Sequence, residues 1–127
     1  MDLFDLYVMK NLPFSDEDKK ECIPAVKQII ELAEVSRNKG VLALELVLQG
    51  LNDLFLKKSI RLICDNVDSK LILNIMQNHI IFGGCNGKEL LKNLILLEGI
   101  ISVSEGTPML IIREKLMSYF GVDFVCE

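Results

Sequence analysis

Residues 90 to 112 form the most apolar stretch of the chain, and they constrain its fold more than any other segment. Their number is close to the ~20 that a membrane-spanning helix needs. Yet Lys92, Glu98 and Glu105 lie inside the stretch, and Gly106-Thr107-Pro108 cuts it. Each charge near the middle of a bilayer costs roughly 2.5–3.5 kcal/mol on insertion scales. The stretch therefore belongs in a protein core, as a long helix from Lys88 to Ser104.

The remaining residues can supply that core. A chain of 127 residues suits one domain, here 1–127, with enough surface to bury without disulfides or metal. Half of it is apolar but only 6% is aromatic, with no Trp, so the apolar content is mainly Leu, Ile and Val. Leucine dominance favours helix packed on helix, and the expected fold is an all-α bundle of about five to six helices.

The helix boundaries follow from capping chemistry. Residues 1–13 mix apolar and charged positions, and suit either a short packed N-terminal arm or a first helix turn. Ser15 reads as an N-cap, with Asp16, Glu17 and Asp18 placed where the helix dipole favours anions. Ile23, Val26, Ile30 and Ala33 follow at helical spacing, with Ile29 and Leu32 beside them. Pro24 lacks a donor, so this helix either kinks there or begins there. Gly40 is expected inside the next helical stretch, where a glycine implies close helix approach. Asp53 and Asp68 cap two further helices, Gly83–Gly87 is a loop, and Thr107 caps a last helix with Pro108 at its first position. Gly121 ends it.

Composition excludes several function classes. The net charge is −4 with no basic block, which argues against nucleic acid. Cys22, Cys64, Cys85 and Cys126 are scattered with no Cys-x-x-Cys pair, and His79 is the single histidine. Paired ligands at zinc spacing are missing, so no metal is expected. Reduced cysteines and the lack of an apolar signal in Met1–Phe14 suit a cytoplasmic protein. No nucleophile elbow, phosphate-binding glycine loop or metalloprotease motif is present, and His79 and Cys85 could pair only through folding. Neither an enzyme nor a cofactor is expected.

Two motifs carry a resemblance. The first is Arg37-Asn-Lys-Gly40-Val-Leu-Ala-Leu-Glu45, continuing to His79; the second is Glu98-Gly99-Ile-Ile-Ser-Val-Ser-Glu-Gly106-Thr-Pro108, continuing to Phe120. In this order they resemble the cytoplasmic parts of MotA-type flagellar stator subunits, which carry membrane helices between and beside these blocks. The resemblance implies a bacterial motility role without the ion path, and the Gly83–Gly87 loop in place of the membrane hairpin. It implies that Arg37 and Glu45 are a docking pair for a FliG-type rotor protein, or that MotA-type stator subunits are the partners. On one continuous helix the two charges would lie about 80° apart and about 12 Å along the axis. Spacing alone is equally met if Glu45, between Leu44 and Leu46, marks the solvated side of a helix that Leu42–Leu48 otherwise buries. Departures occur at Ser59, Asn66 and Met109, where the family carries Gly, Gly and a basic residue. Asn66 can take the left-handed turn that glycine provides. Glu98, among Leu96, Leu97, Ile100 and Ile101, needs an ion pair, a hydrogen bond or a raised pKa, the last being what general-acid chemistry would use. The alternative to an interaction module is a divergent helical protein that keeps the fold and serves self-assembly as a homo-oligomer.

Overall fold

Asp2, Ser15, Asp53 and Asp68 each start a helix by accepting a backbone N–H with the side-chain oxygen, two or three residues into the chain that follows. The computed structural model describes residues 1–124. In chain order they form α1 (Leu3–Lys10), α2 (Asp16–Lys39), α3 (Leu44–Leu48), α4 (Leu54–Cys64), α5 (Ser69–Gly83), α6 (Gly87–Ser104) and α7 (Met109–Met117). Short 3-10 turns at Val41–Ala43 and Ser118–Phe120 precede α3 and follow α7. The described residues are all-helical, as the leucine-rich composition predicts, with seven α-helices instead of five or six. Cys126 lies outside the described residues.

Helix α6 is the centre. It buries Leu90, Leu91, Leu94, Ile95, Leu96, Leu97, Ile100 and Val103, nearly its whole circumference. Helix α2 makes the most extensive pairing with it, and α4, α5 and α7 complete the cover. Among the described residues no helix is long and apolar enough to cross a membrane.

The approach of α2 to α6 depends on Gly99. A Cβ there would stand 2.5 Å from Ile29 Cγ2 and 2.6 Å from Cγ1, while Ile29 is itself fully buried. The close approach of α2 to α6 is therefore at Gly99 and Ile29, not at Gly40. Gly40 has φ +87° and a Cβ there would meet nothing within 4 Å. It ends α2, its N–H donating to the Ser36 carbonyl. Its value is the backbone angle, which L side chains avoid, and the expectation of a helical packing glycine fails for that reason.

Two further expectations change. Helix α2 runs unbroken through Pro24, so it does not begin there; Lys20, whose carbonyl loses its donor, is exposed and solvent can serve it. Pro108, extended at ψ 145°, holds the cap position of α7 that was expected of Thr107. Thr107 instead closes α6, donating its N–H to the Ser102 carbonyl while Gly106 (φ +70°) donates to Val103. The same Schellman closure ends α4: Asn66 sits at φ 62° and donates to Ile63, and Val67 donates to Leu62. Asn66 thus takes the left-handed turn expected of it.

Residues 1–13 are a true helix plus a cis Leu12–Pro13 link. Phe4, Tyr7 and Val8 pack partly against the core, and the Tyr7 hydroxyl donates to the Cys85 carbonyl.

Candidate protein-docking site

The chain turns twice between α2 and α4, and Arg37 and Glu45 of the first motif lie at this elbow, together with Lys39. Arg37 is in the last turn of α2, where a cation suits the C-terminal dipole. Glu45 is in the first turn of α3, where an anion suits the N-terminal end. Gly40 and a 3-10 turn separate them, so the continuous helical stripe at about 80° does not exist. Both side chains are nevertheless exposed.

They line different clefts. Arg37 borders one with Ser36, Val41, Glu105 and Thr107, and its Nη2 donates to the Thr107 carbonyl at 3.4 Å. That bond joins the first motif block to the second. Glu45 borders another cleft with Leu48, Gln49, Lys57 and Arg61, formed between α3 and α4.

The leucines on either side of Glu45 are not all buried as the sequence suggests. Leu44 and Leu48, four apart, face the core, whereas Leu42 and Leu46, also four apart, are 75% and 71% exposed. Helix α3 has only five residues and one packed side, so the leucines two positions off that side point to solvent. Val41 adds to the same exposed surface. The elbow therefore presents apolar residues flanked by a cation and an anion. Strict helical reading of Leu42–Leu48 missed these leucines; the signal available was Gly40, which makes α3 too short to be surrounded.

A stretch of 55 residues is 38% identical to Motility protein A of Treponema phagedenis. It covers 43% of this chain and 21% of that protein, so the chain spans about a fifth of the relative's length. No family model matches the chain, and no solved structure matches it. The similarity is a partial link to a MotA-type sequence.

The other residues singled out in the sequence lie elsewhere. Glu98 is not buried: its side chain is 27% exposed, it accepts from the Tyr119 hydroxyl at 3.3 Å, and Lys115 Nζ is 3.4 Å away. Burial, reinforced by Glu98, pushes the Tyr119 hydroxyl well above the usual tyrosine range. This is a structural network joining α6 to the end of α7. His79 lines a cleft with Leu54, Phe55, Lys58 and Met76, whereas the Cys85 sulfur meets the Ile80 carbonyl and Asn93. Burial pushes the Cys85 and Cys64 thiols up, and Cys22, buried beside Asp18, up to about 11. Such thiols are poor nucleophiles at neutral pH.

Proposed function

We propose that this protein is a protein-interaction module of the bacterial flagellar motor, related to the cytoplasmic part of a MotA-type stator subunit, which docks through the α2–α3 elbow onto a FliG-type rotor protein. The supporting observation is the exposure of Leu42 and Leu46 next to the exposed charges Arg37 and Glu45. Exposed apolar surface rimmed by charge suits a protein partner. The partial similarity to Motility protein A supplies the motility context. Such a module would act by binding and modulating rotor or stator components, not by catalysis.

The charges would steer and select, and the leucines would supply contact area. Binding of the full chain to a FliG-type rotor domain should weaken as salt rises, since screening shortens the reach of exposed charges to about 8 Å at physiological ionic strength. Arg37→Glu and Glu45→Lys should each abolish it, and compensating reversals on the rotor domain should restore part. Neither substitution should alter stability by more than about 0.5 kcal/mol, because both positions are exposed. Rotor binding that ignores salt and both charges removes this reading.

The same leucines favour a second reading, in which the elbow covers a second copy of the chain. Sedimentation separates the two: self-assembly predicts an oligomer that Leu42→Asp with Leu46→Asp reduces to monomer, with no rotor binding at any salt.

A further inference from the structure

Helix α4 is charged on one sign only. Between Leu54 and Cys64 it carries Lys57, Lys58 and Arg61 and no acid, in a chain of net charge −4. Lys57 and Arg61 are four residues apart, so they stand on one face. Both border the α3–α4 cleft of about 360 Å³, with Glu45 and Gln49 at its rim and Leu48 behind. The ion pairs among the described residues join Lys88 to Glu21, Lys92 to Asp53 and Glu89, and Lys115 to Glu98. Lys57, Arg61 and Glu45 enter none of them. The cleft lining itself thus carries two cations and one anion, none of them in a close ion pair.

We propose that Lys57 and Arg61 are specificity residues of the docking surface, and that their cleft receives an acidic side chain of the protein partner. The identity of that partner rests on the rotor reading above. The cleft adjoins the elbow because Glu45 and the exposed Leu46 belong to the same short helix. A partner segment covering the leucines would reach the cleft with its next polar residue. Arginine offers a planar fork that fits a carboxylate with two N–H groups, and the lysine adds a mobile second charge. Gln49 can donate a third hydrogen bond. Glu45 lowers the charge of the cleft lining without cancelling it, and offers a place for a base that follows the acid on the partner. Two cations in an acidic chain are too few to neutralise a run of phosphates, so nucleic acid is not the fit.

The test uses the full chain, isotope-labelled, with hexaglutamate as the probe at low salt. Amide shifts should concentrate on α3 and α4 around Glu45, Lys57 and Arg61, and should vanish in the Lys57→Glu/Arg61→Glu double variant. A Lys57→Gln/Arg61→Gln variant repeats the test with side-chain bulk kept, and an unchanged amide spectrum shows that it folds. Shifts that scatter over Lys10, Lys20 and Lys27, or that persist in either variant, overturn the proposal. A second arm measures the FliG-type rotor domain. There the double reversal should weaken binding about tenfold or more, as truncating close charge pairs does elsewhere. Rotor binding lost with Arg37→Glu but untouched by the double reversal overturns the cleft while the rotor reading stands. Localised hexaglutamate shifts with no rotor binding uphold the cleft and remove the rotor as its partner.

Discussion

Gly99→Ala should destabilise this protein, although alanine is the better helix former by about 1 kcal/mol. The added methyl would stand 2.5–2.7 Å from three side-chain atoms of Ile29. Ile29 is fully buried against α6, so any shift of its side chain must displace other core residues. Overpacking of this kind costs about 1–3 kcal/mol, so after the helix gain a net loss of about 1 kcal/mol, and at most about 2, is expected in urea unfolding. Gly99→Leu should cost more, a large share of the ~5–15 kcal/mol that a domain has. Ile29→Ala alone should cost about 2–5 kcal/mol through the cavity it leaves. In that background Gly99→Ala should become neutral or stabilising, because the two sites are in contact and their effects cannot add. A stabilising Gly99→Ala in the wild-type background would mean that α2 and α6 lie farther apart than described.

Asp53 should carry the second large effect. It caps α4, accepting the Leu56 N–H at 3.0 Å, and holds Lys92 of α6 at 2.8 Å. Burial pushes its carboxyl up, but the Lys92 ammonium and the N–H groups of Leu56 and Phe55 outweigh burial and hold it below its ordinary value. Asp53→Ala should cost roughly 2–3 kcal/mol at pH 7, from the lost cap and the charged hydrogen bond together. Asp53→Asn keeps a capping oxygen and should lose about half of that. The sign with pH follows from the depressed value. The charged contribution is complete above the unfolded carboxyl's pKa, near 4, and disappears as pH falls through the lower folded value. Wild type and Asp53→Asn should therefore converge in stability below pH 4. A constant difference down to pH 2 would show that the Lys92 pair contributes nothing.

How legible was this in the residues? Capping side chains were the most readable signals, because each acts within three residues of itself. Ser15, Asp53 and Asp68 cap where their sequence context predicts, and Asn66 turns where the motif has glycine. The all-helical class and the core position of α6 followed from leucine content and the length of one apolar run. The exposure of Arg37 and Glu45 was also expected, but their geometry was not. A helical projection cannot register that Gly40 adopts φ +87° and divides the segment.

Tertiary structure decided the rest, since pairwise distance between remote segments is not encoded in any local pattern. Gly40 and Gly99 both look like packing glycines in the sequence; only the placement of Ile29 shows that Gly99 is one and Gly40 is a turn. Glu98 looks buried among leucines, yet α6 leaves that one side open enough for Tyr119 and Lys115 to reach it. The cleft of Glu45, Lys57 and Arg61 exists because two turns fold α3 onto α4. Sequence by itself determined the all-helical class and the starts of the helices capped by Ser15, Asp53 and Asp68, through short-range hydrogen bonding. Which faces remained for a partner was decided by the packing, because burial depends on neighbours that are distant along the chain.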